Sequence, residues 1–254
     1  MIDLLATPPD LAPWVQCIWT LRCAGSADPD PPIAPDGCCE WIVHLGDPPR
    51  VWRETEWVRQ PRNFVFGQLR GPLRLHNERH TDVLAVRLRA HAATALLRVA
   101  GAELIARELP VAELICHVDG RRWLGHFESL GAAYPRMIAL LRRLAAVARA
   151  VDPLALAATT AIDRSHGLQR IGVLAREARV STRTLERRFN DAVGLSPKRY
   201  ARVRRMQHGL QLFSASPLGL AAIADIAGYA DQAHMTREFV ALAGCRPADI
   251  ARVR

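Results

Sequence analysis

Ser181-Thr182-Arg183-Thr184-Leu185-Glu186-Arg187-Arg188-Phe189-Asn190 is the stretch whose reading decides the fold. Serine in front of a helical pattern is a strong N-cap, because its hydroxyl accepts from the backbone N–H groups of the first turn. Val180 stands just before that cap and Leu185 four residues after it, the spacing of a hydrophobic staple. Leu185 and Phe189 are four apart and point inward together. Thr182, Arg183, Glu186, Arg187 and Asn190 are left facing outward. These polar groups suit base edges and phosphates in a major groove, with arginine able to pair with guanine and glutamate to accept from a cytosine amino group. Upstream, Ile171, Leu174, Ala175 and Ala178 form the apolar face of a first short helix, and Arg179-Val180 makes the turn.

The same arrangement recurs about fifty residues later. Ile223, Ile226 and Ala227 are expected to face the core, Gly228-Tyr229 to turn, and Asp231 to cap the next helix. Met235 and Phe239 point inward, and Gln232, Ala233, His234, Thr236 and Arg237 outward. Gly244 ends that helix and Pro247 opens a last short one. Between the two units runs a linker helix from Pro197 to Phe213, whose apolar stripe is Tyr200, Val203, Met206, Leu210 and Phe213. Lys198, Arg199, Arg202, Arg204 and Arg205 give it five positive charges. A charged run is ordinarily a solvated helix face. Placed between two such units, some of these charges, Arg204 among them, are expected to meet phosphates.

Charge supports this reading. The net charge is +9. From Ser165 onward there are 15 basic and 7 acidic residues, against 19 and 18 before it. The excess thus sits almost wholly in the last third, where nucleic-acid binding would need it. Lys198 is the sole lysine, so arginine enrichment is general, but a general bias does not explain the asymmetry.

Residues 171–254 resemble the DNA-binding domain of the AraC/XylS transcription regulators. Leu174-Ala175, the stretch 181–189, Gly194-Leu195-Ser196-Pro197 with Tyr200, the run 223–239 and Gly244-Cys245-Arg246-Pro247 carry the likeness. It implies two recognition helices, roughly 182–192 and 232–242, entering successive major grooves of double-stranded DNA. It also implies base-reading positions at Arg183, Glu186 and Arg187 in the first helix. In the second they are Gln232, Ala233, His234 and Arg237. Gly209 departs from the pattern, since the family usually has alanine there. On intrinsic scales that glycine costs the linker helix about 0.8–1 kcal/mol.

The first part of the chain reads differently. Trp41-Ile42-Val43-His44-Leu45, Val51-Trp52, Trp57-Val58, Phe64-Val65-Phe66, Leu73-Arg74-Leu75-His76 and Val83-Leu84-Ala85-Val86-Arg87-Leu88 are short apolar runs broken by turn signals, the pattern of a small antiparallel sheet or barrel. The first ~35 residues are rich in proline, and the stretch 24–32 reads as loop. Helices are expected from Ala92 to Val99 and from Arg136 to Ala150, and Asp152-Pro153 opens another that runs to about Ser165. The predicted fold class is α+β. It comprises a β-barrel-like sensor domain with helices over 1–149 and an all-α double helix-turn-helix domain over 150–254. Residues 35–47 and 67–72 resemble, more loosely, the N-terminal domains of one cupin-like AraC subgroup, which names no ligand.

Together these readings imply a sequence-specific regulator of transcription. An unknown signal, such as a small-molecule effector, controls it through the N-terminal domain. RNA polymerase would be a further partner if it activates. The apolar stripe of helix 136–150 serves either the barrel or a second copy of the chain, and does not choose between them. No apolar run reaches the ~18 residues a membrane span needs, and no signal-peptide pattern opens the chain, so a cytoplasmic protein is expected.

No catalytic motif, cofactor or metal site stands out. His44, His76, His80 and His91 with Cys38 and Cys39 have no spacing that fixes a metal. Trp41, Trp52 and Trp57 read as aromatic core rather than pocket. Cys38 and Cys39 would sense oxidants only if exposed and deprotonated. Two further classes are a metal-dependent cupin-like enzyme, which needs a bound metal, and an alkylation-sensing repair protein, which needs a zinc-bound cysteine cluster. The sequence carries neither signature.

Overall fold

The computed structural model describes residues 2–27, 30–115, 127 and 129–251, without side-chain detail at the last two. Its first part is built on strands. β1 (Ile2–Leu5), β2 (Val15–Cys23), β3 (Cys39–His44), β6 (Asn63–Phe66), β8 (Thr81–Leu88) and β9 (Glu108–Pro110) form one antiparallel sheet, in the order β1-β2-β8-β3-β6-β9. β4 (Arg50–Arg53), β5 (Glu56–Arg59) and β7 (Leu75–His76) form a second, in the order β5-β4-β7. The expected β-barrel-like part thus consists of two sheets that do not close, among the described residues.

Alternation explains how the larger sheet is used, since successive side chains of a strand point to opposite faces. Ile18, Cys39, Trp41, Val43, Leu84, Val86 and Leu88 belong to one buried cluster. It also takes in α1 (Ala93–Leu97), α2 (Val111–Leu114) and the inner side of α3 (Leu130–Ala146), with Met137, Leu140, Leu141 and Leu144. The residues between them, among them Trp19, Leu21, Glu40, Ile42, His44, Val83 and Arg87, line a cavity of about 550 Å³ on the opposite face. The sheet is apolar on the helix side and mixed on the cavity side.

Two expectations about this part change, and β1 and β2 are strands that the sequence does not mark. β2 in fact pairs along its length with both β1 and β8; prolines at 8, 9 and 13 mask a strand that begins only at Val15. The helix expected at 136–150 starts a turn and a half earlier, capped by Ser129, and ends at Ala146. Its stripe is spent on the sheet of its own chain. Trp41 is core, its indole donating to Asn63 Oδ1 at 2.7 Å, whereas Trp52 and Trp57 pack edge-on against each other on the small sheet.

The second part is wholly helical: α4 (Pro153–Arg164), α5 (Ile171–Glu177), α6 (Thr182–Val193), α7 (Pro197–Ala215), α8 (Leu220–Ile226), α9 (Gln232–Ala243) and α10 (Pro247–Ala251). It has two cores. One gathers α4, α5 and α6 around Ile162, Leu174, Leu185 and Phe189. The other gathers α8 and α9 around Ile223, Met235 and Phe239. Helix α7 is a strut between them, giving Tyr200 and Ala201 to the first core and Val203 and Met206 to the second. Among the described residues, no helix is long and apolar enough to cross a membrane.

Candidate nucleic-acid interface

The two helix pairs α5–α6 and α8–α9 are built alike. Ser181 Oγ accepts from the Thr184 N–H at 3.1 Å, and Leu185 and Phe189 are fully buried beneath the helix. Gly194 closes α6 at φ +85°, where a side chain would be strained, and its N–H returns to Asn190 O. Asp231 Oδ1 accepts from the His234 N–H at 2.6 Å, and Met235 and Phe239 take the buried places. His234 also completes the cap. Its Nδ1 accepts from the Ala230 N–H at 3.3 Å, and its ring stands edge-on to Tyr229. With Nδ1 accepting, the proton of a neutral ring lies on Nε2, which leaves His234 a hydrogen-bond donor.

The sequence-predicted positions fall out as follows. Thr182, Arg183, Glu186, Arg187 and Asn190 are exposed on one side of α6. Gln232, Ala233 and Arg237 are exposed on α9, with His234 and Thr236 half-buried beside them. Thr236 donates to Gln232 O within its own helix. The pair Arg187–Asp191, 3.8 Å apart and fully solvated, leaves Arg187 free to exchange partners. Two residues assigned to the core are instead exposed: Ile226, at 46%, and Ala178. Both sit at the last turn of a short helix, where the chain bends away before the helix face meets the core.

Residues 174–252 match the family model of a helix-turn-helix domain. That stretch is an AraC-type helix-turn-helix domain, and the chain is a DNA-binding regulator of transcription. Residues 5–110 match a family model described as a domain of unknown function. Over 92% of its length the regulator superposes on 98% of ToxT from Vibrio cholerae, with a TM-score of 0.54 at 10% identity. ToxT bound to (E)-4-(8-methylnaphthalen-1-yl)but-3-enoic acid matches over the same shares, with a TM-score of 0.54 at 11% identity. At such identities these likenesses speak for the fold. The DNA-binding domain of AdpA, solved with a target DNA, matches 40% of this chain and 92% of its own, at 25% identity and a TM-score of 0.37. No curated protein matches the chain.

The linker-helix cations of the regulator are used differently from the expectation. Arg202 grips Glu238 of α9 through two bonds of 2.7 and 3.0 Å. Arg205 donates to Gly167 O and lies over the Tyr229 ring. Arg199 donates to Arg70 O. Arg204 bridges α4 and the β-rich part: Nε meets Asp163 Oδ1 of α4 at 2.8 Å, and the guanidinium donates to Asp36 O at 3.2 Å. Their spacing suggested phosphate contacts, but sequence could not show that the β-rich part lies against this helix.

That packing is the feature sequence reasoning missed. Gln207 of α7 donates to Pro35 O at 2.6 Å, and Thr94 of α1 donates to Ala192 O at the end of α6 at 2.8 Å. Beside α6 the backbones nearly touch. A Cβ on Gly101 would lie 2.4 Å from Asn190 O, and one on Gly194 2.6 Å from Gly101 O. A cleft of about 570 Å³ runs along this seam, and Arg187 and Asn190 of α6 line it together with Val99, Gly101 and Arg149. One flank of the first recognition helix therefore faces the β-rich part.

Cys38 and Cys39 are buried, and burial pushes both thiols well above their usual range. Neither is a thiolate near neutral pH. Cys116 and part of the loop at 24–32 lie outside the described residues. His44, His76 and His91 sit in β3, in β7 and just before α1. No group of three His, Cys, Asp or Glu among the described residues is placed to hold a metal.

Proposed function

We propose that α6 and α9 both read bases, one in each of two successive major grooves on the same face of the duplex. The observation that carries this reading is that two separately cored units present matched, capped helices with Arg183, Glu186, Arg187 and Asn190 exposed on one and Gln232 and Arg237 on the other. Arg183, Glu186, Arg187 and Asn190 would act from α6, and Gln232, His234 and Arg237 from α9, with Thr182, Ala233 and Thr236 in van der Waals or backbone reach. Grooves one turn apart are separated by ~34 Å, so the two helices should specify bases about 10 pairs apart. The chain would divide near residue 150, with 1–149 receiving a signal and 150–254 binding DNA. A small-molecule effector for the first part, pairing of two copies on DNA, and contact with RNA polymerase in activation belong to the same proposal. ToxT, which shares the fold, was solved with a small molecule bound.

Binding-site selection with purified variants tests base reading. Arg187→Ala is expected to cost about 1–3 kcal/mol and relax one or two positions in one half of the site. Arg237→Ala should do the same in the other half. An unchanged selected motif in both variants, with affinity merely scaled, would refute base reading by these arginines.

A further inference from the structure

The cavity on the polar face of the larger sheet has a chemistry of its own. Glu40, Ile42 and His44 are alternate residues of β3, and all three line it. At ~3.3 Å per residue, the two polar ends of this row lie ~13 Å apart along the strand. At one end Arg87, across the strand pair from Glu40, donates to Glu40 Oε1 at 2.9 Å and reaches Asp36 Oδ2 at 2.9 Å. The Trp19 indole also donates to Glu40 Oε1, at 3.1 Å. Among the described residues, the hydrogen bonds to the Glu40 carboxylate thus fall on one oxygen. Asp36 and Glu40 bring two carboxylates to this end, against the one guanidinium, Arg87, among the described lining residues, while Asp30, the third acid of the lining, is held by Asn77 elsewhere. At the other end His44 is 4% exposed, and neither ring nitrogen makes a hydrogen bond of normal length, although the Gln60 side chain, which donates to Glu108, lies near enough to favour the charged ring. A buried polar group without a partner is uncommon and points to something absent that would supply one. Ile42 stands between the two ends on β3, and Leu73 and Val83 add apolar surface to the lining.

We propose that this cavity binds an elongated, mainly apolar molecule carrying a protonated amine, which meets Glu40 and Asp36, and at its far end a hydroxyl or carbonyl that meets His44. The inference rests on the reading of the β-rich part as a sensor. A volume of about 550 Å³ suits a small ligand. A carboxylate would add a third negative group beside an arginine already shared between two acids, whereas an ammonium supplies the missing charge. The site is also wired to the DNA-binding part. Gln207 of α7 lines the cavity and donates to Pro35 O, while Arg204 donates to the next carbonyl, that of Asp36. Asp36 in turn is held by Arg87 inside the cavity. A ligand that draws on Asp36 acts on the segment that α7 grips.

The test uses the full-length protein with octylamine, octanoate, 1-octanol and 8-amino-1-octanol, each titrated by calorimetry below its aggregation limit. Octylamine is expected to bind at least tenfold tighter than octanoate or octanol, and 8-amino-1-octanol tighter still. Glu40→Gln should erase the preference for amine, and His44→Phe the gain from the added hydroxyl. Because Glu40→Gln disturbs a buried ion cluster, Ile42→Trp provides a second variant that fills the middle of the cavity, leaves the cluster intact and should abolish amine binding. Octanoate binding as tightly as octylamine, no octylamine binding up to millimolar concentration, or unchanged binding in a folded Ile42→Trp variant would each overturn the proposal. DNA affinity measured with and without each probe separates the two readings. If bound amine leaves DNA affinity unmoved, the sensor reading fails and the site stands. If octanoate alone changes DNA affinity, the sensor stands and the amine chemistry fails.

Discussion

Arg204 separates two accounts of the linker helix. If it grips phosphate, Arg204→Ala should leave stability unchanged and lower the salt dependence of DNA binding by about one ion, since each neutralised phosphate contributes a slope of roughly 0.9. The structure argues instead for a clasp that ties α7 to α4 through Asp163 and to the β-rich part through Asp36 O. The Arg204 side chain is 24% exposed and Asp163 41%, so their 2.8 Å pair is worth more than a solvated surface pair, at ~0–1 kcal/mol, and less than a buried one. The bond to Asp36 O adds a charged donor on a backbone acceptor, worth ~1.5–3 kcal/mol when buried and less here. Asp163 keeps the Tyr200 hydroxyl at 2.9 Å, and its remaining exposure lets water replace the guanidinium, so no carboxylate is stranded. The loss on truncation should therefore be about 1–3 kcal/mol. Urea unfolding of the full chain, read beside DNA binding at several salt concentrations, measures both quantities. The expected outcome is a lower unfolding midpoint with an unchanged salt slope. A slope reduced by about one, with an unchanged midpoint, would refute the clasp.

Three further predictions concern single positions. Gly209 is buried in α7, and an added Cβ would lie 3.1 Å from Phe239 Cζ, in a ring packed edge-on against Phe213. The ~1 kcal/mol of helix propensity gained by Gly209→Ala should be largely offset by that tight contact, leaving thermal stability within about 1 kcal/mol of the parent; stabilisation by the full amount would show the ring yields freely. His44 is held neutral, its pKa lowered from 6.5 to about 4 by burial, which outweighs the opposing pull of Gln60. A depressed histidine pKa gives stability that is complete above pH ~6.5 and is lost as pH falls toward 4, up to about 3 kcal/mol. His44→Phe should therefore flatten the denaturation profile between pH 7 and 4, and an unchanged profile would assign the acid sensitivity elsewhere. Cys38 and Cys39 should resist iodoacetamide in the folded protein and react once it is unfolded, as mass spectrometry of the peptides can show; rapid labelling in the native state would contradict their burial.

The helix-turn-helix units were legible in the sequence because their signals are local. Ser181 with Leu185 and Phe189, and Asp231 with Met235 and Phe239, lie within one or two turns of helix, so caps and apolar spacing suffice to place them. The strands β3, β6 and β8 were legible too, since a half-buried strand declares itself by alternation. β2 was not, because the prolines around it dominate a local reading, and its pairing partner β8 lies some sixty residues away. The outward faces of α6 and α9 follow from period alone, but what covers them does not.

Sequence by itself determined the fold class, the two matched units and their basic charge, through interactions between residues at most four or five apart. Only the tertiary structure decided that Arg204 and Gln207 face Pro35 and Asp36, that Gly101 and Gly194 meet backbone to backbone, and that Glu40, Asp36 and Arg87 share one cavity with His44. Those contacts join segments up to about 170 residues apart, and which charges they use depends on how two separately cored parts dock. No local pattern encodes that.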